Sequence, residues 1–149
     1  MDKNISALCV AFSDHTQFST FYMSDLEAGS AHHSFGEPVN QFGGKLNYQF
    51  TQSMIAYSID DFLSTFDIPF PNYVKIDVDG IEHQIILGAQ KTLSDKRLFS
   101  ILIELNNGRI NYSQTITIIE NAGFRMISKH QICQDPVNGS ELANYIFSK

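Results

Sequence analysis

The sequence predicts an α/β fold, a mostly parallel, doubly wound sheet that closes in an antiparallel C-terminal hairpin. Three observations carry this reading. Strand-like and helix-like patterns alternate across residues 73–130, the rhythm of βαβ units on an open sheet. Leu98 to Leu105 is an almost unbroken apolar run, the pattern of a strand covered on both faces. The last two strand-like segments flank Pro136 and Asn138-Gly139, turn formers that send the chain back alongside itself. With 149 residues, 43% hydrophobic and 17% charged, one domain over residues 1–149 with a real core is expected.

In chain order, residues 5–12 (Ile-Ser-Ala-Leu-Cys-Val-Ala-Phe) read as a strand, and Phe18 to Met23 as a second beyond the polar turn Ser13-Asp14-His15. Residues 27–52 are rich in Gly, Ser, Asn, Gln and His and are broken by Gly29, Gly36, Pro38, Gly43 and Gly44. A connection that long is either a flexible excursion or a candidate lid over a site. Met54 to Tyr57 is a short strand, and Ser58-Ile59-Asp60-Asp61 is a capping box that opens a brief helix through Phe62, Leu63 and Phe66. Pro69 and Pro71 stop it. Tyr73 to Val78 is a strand ending at Asp79-Gly80. Ile81, Ile85, Ala89 and Leu93, with Ile86 beside them, then draw one apolar helix face. A helix over 113–122 has Ser113 as its N-cap and Gly123 as its stop, with Ile116, Ile119 and Ala122 inward. Strands near 124–130 and 143–148 complete the chain.

Composition narrows the function. Ten Lys+Arg against sixteen Asp+Glu leave a charge of −6, which argues against nucleic acid or an anionic membrane as the partner. Cys9 and Cys133 lie far apart with no CxxC or Cys/His spacing, so no disulfide framework or zinc site is indicated, and a reducing cytoplasm fits. The apolar run Ala7 to Phe12 is too short for a signal core or a membrane span. The Asn-x-Ser matches at Asn4, Asn111 and Asn138 are therefore read as chance.

In open α/β sheets ligands bind beyond the carboxyl ends of the strands, which directs attention to Asp77–Glu82 and Glu104–Gly108. The densest polar cluster is Lys75-Ile-Asp77-Val-Asp79-Gly80-Ile-Glu82. As a calcium loop it fails, because Lys75 and Ile86 fall where positions 1 and 12 need carboxylates. As a phosphatase loop it has the apolar strand followed by Asp-x-Asp-Gly of haloacid-dehalogenase-type hydrolases, in which the first Asp attacks phosphorus. The later lysine and acidic pair of that family are missing, and only Glu104 follows. A plain structural role is also open: Asp79-Gly80 as a turn and N-cap, and Glu82 meeting the helix dipole. His32-His33 has no metal-spaced partner and reads as a solvated pair.

A longer pattern embraces the whole segment. Ser58-Ile-Asp60-Asp61-Phe-Leu, the Lys75–Glu82 block, Ile86-Leu-Gly88-Ala89 and Ile101-Leu-Ile-Glu104 closely resemble the C-terminal half of FkbM-family methyltransferases, and Val10-Ala11-Phe12-Ser13-Asp14 resembles that family's strand ending in Ala-x-Ser-Asp. Asp79 departs mildly from the family's usual Glu. The resemblance implies an incomplete Rossmann-like class I methyltransferase sheet and transfer of a methyl group from S-adenosylmethionine to an oxygen, on a small-molecule or sugar acceptor. Held in line, the acceptor needs positioning and a place for its proton. By this resemblance Asp77 positions or deprotonates the acceptor, and Lys75 either pairs with Asp77 or serves as a deeper structural partner. Glu82, Glu104 and Asn106 line the acceptor side; Ala11, Phe12, Ser13 and Asp14 line the cofactor's adenine side. No metal is implied.

That family's fold begins with a glycine-rich turn against the cofactor, and this sequence contains no Gly-x-Gly. The expectation is therefore a truncated domain beginning near the family's third strand, with the edge of strand 73–78 bare, weak cofactor binding, and self-association or a partner through that edge. A non-catalytic remnant acting as an interaction module is the rival expectation.

Overall fold

The chain folds around two four-stranded sheets. The structure is a computed structural model describing residues 5–149, so the match at Asn4 lies outside the described residues. The first sheet has the order β1-β4-β2-β3, built from β1 (Ala11–Phe12), β2 (Gln17–Met23), β3 (Ser34–Phe35) and β4 (Phe50–Tyr57). The second has the order β5-β6-β8-β7, from β5 (Tyr73–Ile76), β6 (Ser100–Asn106), β7 (Arg125–Gln134) and β8 (Glu141–Ser148). Among the described residues four helices intervene: α1 (Ile59–Thr65), α2 (Glu82–Leu87), α3 (Gln90–Ser94) and α4 (Tyr112–Asn121). No described helix is long and apolar enough to cross a membrane.

Both sheets are mixed, which corrects the mostly parallel expectation. Among the described residues parallel pairing is confined to β1 with β4 and β5 with β6. A parallel pair needs a crossover, and β5 reaches β6 through α2 and α3. The chain between β2 and β4 has no helix to carry it across, so the two strands lie antiparallel, Gln17 opposite Ala56 and Met23 opposite Phe50. At the other end β8 inserts antiparallel between β6 and β7. The expected closing hairpin is therefore present, longer than its sequence signal because bulges near Ile127 and Ile132 let the strands twist past their neighbours.

Three other expectations are modified. Residues 5–10 form no ladder, because β1 has a partner only at Ala11 and Phe12. The segment 27–52 is not structureless: it contains β3, the bridge Val39–Lys45 and the start of β4, and it buries Phe35 and Leu46. The single helix face 81–93 is split into α2 and α3 at Gly88-Ala89. A Cβ on Gly88 would stand 2.2 Å from the Ser13 carbonyl oxygen, and the Gly88 carbonyl accepts from Asp60 N–H at 3.0 Å. The break lets two main chains meet where a continuous helix would bulge.

Local signals explain the caps. Ser58 Oγ accepts from Asp61 N–H at 3.0 Å and starts α1, as the capping box implies. Asp60 reaches further: its carboxylate accepts from the Lys91 and Thr92 amides at 2.8 and 2.9 Å and from Thr92 Oγ1 at 2.7 Å, so α1 supplies the N-terminal cap of α3. Helix α4 is preceded by Asn111 rather than capped by Ser113, while Gly123 ends it in the left-handed region at φ 93°. The main core joins Ile76, Ile85, Ile86, Leu93 and Ile119 to the inward residues of β6 and β8. Along β6 buried and half-buried residues alternate, so one face carries the core and the other is only partly covered.

Candidate functional site

The end of β5 positions the site. Lys75 and Asp77 are two apart, so they share a face of the extended chain, and Lys75 Nζ lies 2.7 Å from Asp77 Oδ2. Of the two arrangements open in the sequence, the pair is the one formed. Both side chains remain substantially exposed, and the hydrogen bond to Asp77, with its charge, raises the Lys75 pKa. Asp79 follows in the turn. Burial pushes its carboxyl up and Asp77 adds to this, while His32 and His33 pull it back down. On the neighbouring strand, Glu104 is raised by burial and then by Asp77 and Asp79, with Lys75 opposing. Three carboxylates thus crowd the β5–β6 end, with Lys75 as their nearest lysine.

Two sizeable cavities flank this point and share Asp77 and Val78. The larger, about 620 Å³, is lined by Val10, Ala11, His32, Met54, Asp77 and Asp79 among others. The smaller, about 380 Å³, is walled by apolar side chains including Phe12, Phe62, Pro69 and Val74, with Lys75 and Asp77 as its charged lining. Strand β1 borders β4 alone and β5 borders β6 alone, and residues of both line the two cavities. The space lies where the two sheets leave strand edges unpaired.

The other site candidates divide among these places. Ala11 lines the larger cavity and Phe12 the smaller, but Ser13 and Asp14 line neither. Ser13 is fully buried: its amide donates to the Tyr57 carbonyl at 2.9 Å, and its hydroxyl reaches Asp14 Oδ1 and Gln84 Oε1 at 3.0 and 3.3 Å. Asp14 turns to His15, 2.9 Å away. Glu82 and Asn106 meet in a third, small recess of about 30 Å³ with His83, Arg109 and Thr115.

That recess is held by hydrogen bonds through one glycine. Gly80, at φ 112°, donates its N–H to Glu82 Oε1 at 3.0 Å and accepts from Arg109 Nη2 at 3.0 Å. Burial raises the Glu82 carboxyl to about 7, against the lowering influence of the Gly80 amide and Arg109. Asn106 is buried, accepts from Gly108 N–H at 2.8 Å and reaches the Gln41 carbonyl at 3.4 Å. A Cβ on Gly43 would meet Arg109 Nη1 at 2.6 Å, so the 40–43 turn lies directly on the guanidinium. The 27–52 segment therefore covers the strand ends at two points, through His32 at Asp79 and through residues 40–43 at Arg109.

Two participants escaped the sequence reading. Arg109 carried no motif. The His32-His33 pair is not simply solvated: His33 Nδ1 accepts from Ser24 N–H at 3.3 Å and its ring meets Phe21 edge-on, and His32 is exposed but borders the larger cavity. Their only local signal was a pair of polar rings in a glycine-rich loop. Among the described residues no group of three or more His, Cys, Asp or Glu side chains is placed to hold a metal ion.

Residues 2–126 match the family model of the methyltransferase FkbM domain, a span that includes every site residue discussed above. No curated protein and no solved structure matches the chain.

Proposed function

The chain belongs to the FkbM methyltransferase family, and from that premise we propose that it moves a methyl group from S-adenosylmethionine to a hydroxyl oxygen of a small molecule or sugar. The observation that carries the reading is Asp77, which alone among the residues named for the site borders both large cavities. A donor in one and an acceptor in the other would meet at its carboxylate.

The larger cavity suits such a donor. Its volume falls within the range of ordinary cofactor sites. Its wall combines Asp77 and Asp79 with Val10, Ala11, Phe35 and Met54, a lining matched to a cationic sulfonium carried on an apolar base. Ala11 would hold the adenine side and Asp77 the methyl end, with Phe12 next along β1 bordering the smaller cavity. Bound there, the cofactor supplies an electrophilic methyl carbon. The chain's own work is to hold the acceptor oxygen in line through Asp77, to keep Lys75 against that carboxylate, and to shield the strand ends with the 27–52 lid. Glu104 lies beside Asp77 and Asp79 on the acceptor side, and Glu82 and Asn106 line its far recess. No glycine borders either cavity, so main chain approaches the donor less closely than in a glycine-rich turn, and binding is weak. We read the two sheets as parts of one Rossmann-like sheet, and the free thiols of Cys9 and Cys133 support a cytoplasmic setting.

A second reading, a binding module without catalysis, is favoured by one feature: β1 and β5 each leave an edge unpaired beside an apolar cavity. Calorimetry with S-adenosylmethionine, and transfer of labelled methyl to a panel of monosaccharides and polyols, separate the two. Methyl transfer predicts saturable binding weaker than micromolar, and transfer that Asp77→Ala abolishes while the far-UV spectrum is unchanged. A chain that neither binds nor transfers, yet self-associates in sedimentation, is the interaction module.

A further inference from the structure

We propose that the free edge of β5 is a self-recognition surface: residues 74–78 of one chain lie antiparallel to residues 74–78 of a second copy about a two-fold axis at Ile76, and the two β5 sheets become one. The inference names the occupant of the open edge on which the binding-module reading rests, and it does not need methyl transfer.

The edge is open and regular. In its sheet β5 pairs with β6 alone, through consecutive partners from Tyr73 to Ile76 with no bulge, and Asp77 and Val78 continue beyond that ladder. Apart from the ladder, the main chain of 73–78 makes one hydrogen bond among the described residues, the Val78 carbonyl accepting from Gly80 N–H at 2.9 Å. The other described edges are blunted: β7 carries two bulges, and β1 and β3 are two residues long. A row of unpaired N–H and C=O groups is a template for another strand.

The residues on that edge select which strand fits. Val74-Lys75-Ile76-Asp77-Val78 is self-complementary when reversed, with Lys75 and Asp77 exchanging places as opposite charges. Set antiparallel with Ile76 opposite Ile76, Lys75 of each copy faces Asp77 of the other, and Val74 faces Val78. Opposed residues share a face, so charge meets opposite charge on one side and apolar residues meet on the other. Neighbouring registers fail. Lys75 opposite itself, or Asp77 opposite itself, sets like charges together, and a shift of one residue puts Lys75 against Ile76 or Val74. A lysine on an edge ordinarily repels a second edge. Here Asp77, two residues on, turns that block into a selector for one register.

The geometry already holds the charges in place. The Lys75 and Asp77 side chains are 62% and 45% exposed and lie 2.7 Å apart on the same face. Pairing exchanges an ion pair within each copy for one between copies, so the charges fix register while new main-chain hydrogen bonds and apolar contact drive association. Half-buried Val74 and Val78 line the smaller cavity with Ile76, and the second copy brings its own three beside them. Such a contact is isologous and closes at two copies. It also covers Asp77, so a paired chain does not present that carboxylate to a methyl acceptor.

Sedimentation equilibrium of the full chain between about 1 and 300 µM tests the proposal. Wild type should pass from monomer to dimer, with amide exchange slowing in 74–78 as it does. Lys75→Asp sets Asp against Asp and Asp77→Lys sets Lys against Lys, so each variant alone should dimerise about tenfold more weakly or worse. An equimolar mixture of the two variants should recover a dimer holding one of each. The double exchange Lys75→Asp with Asp77→Lys in one chain should self-associate as wild type does, which separates lost pairing from lost folding. A wild type that stays monomeric throughout overturns the proposal, as does a mixture that fails to recover pairing. Self-association indifferent to both single reversals also overturns it, yet leaves the binding-module reading standing on another surface.

Discussion

Replacing Glu82 with Gln should stabilise the protein at alkaline pH and leave it nearly unchanged in acid. Burial raises the Glu82 carboxyl from 4.5 to about 7, although Gly80 N–H donates to it and Arg109 lies near. A folded-state pKa above the unfolded one means that the folded chain keeps a proton the unfolded chain has lost. Stability from this group is therefore fully present below about 4.5 and is lost as pH rises through about 7. Each pKa unit corresponds to about 1.4 kcal/mol, so the whole interval amounts to about 3.5 kcal/mol at most. Glutamine has the same shape and can still accept from the Gly80 amide, but it carries no charge to bury. Urea unfolding of both proteins at pH 5 and pH 8 tests this. Wild type should lose stability across that interval by up to about 3 kcal/mol, whereas Glu82→Gln should vary much less. Equal pH dependence in the two proteins would show that the Glu82 carboxylate is well solvated or fully compensated by Arg109, and the burial argument would be wrong.

Other substitutions address the framework around the site. Gly88→Ala forces a Cβ to 2.2 Å from the Ser13 carbonyl, a main-chain atom that cannot swing aside, and should cost about 2 kcal/mol or more in thermal or chemical unfolding. Unchanged stability would mean that the Ser13 turn shifts freely. Asp60→Ala removes three hydrogen bonds to Lys91 and Thr92 and should cost about 1–2 kcal/mol, with amide exchange accelerated at the start of α3 rather than in β6. Arg109→Ala releases the Gly80 carbonyl and the support under Gly43. Hydrogen exchange should increase in residues 40–45 and 79–81 while the β6–β8 ladder stays protected.

Much of the local structure was legible because its causes are local. Ser58 caps α1 where its spacing to Asp61 implies, Gly123 ends α4, and the apolar run Leu98 to Leu105 falls on β6, one of the two inner strands of its sheet. Reading failed where a distant main chain decided the outcome. Nothing in the periodicity of Ile81, Ile85, Ala89 and Leu93 announces a break at Gly88, because the break answers the approach of Ser13 and the amide of Asp60. The 27–52 segment looked like bare loop because β3 is two residues long and is stabilised by pairing with β2, a partner that composition does not display. Among site residues, Lys75 and Asp77 were legible as sharing one strand face, with their pairing one of two arrangements open until the fold formed it. Arg109 and His32 were not, since each meets the site only after the chain has folded back from elsewhere.

The sequence by itself determined the family, the α/β class and the carboxylate cluster at the end of β5, because each rests on neighbours within a few residues and on the alternation of a strand. Tertiary structure alone decided how the sheets divide, and it decided that Ser13 is buried beneath α2 while Ala11 and Phe12 border cavities. It also brought His32 and Arg109 to the turn after β5 from opposite directions along the chain. The physical reason is the same in each case. Propensity and spacing act over one turn of helix or two residues of strand, whereas a cavity wall and a shifted carboxyl depend on what long-range packing excludes from water.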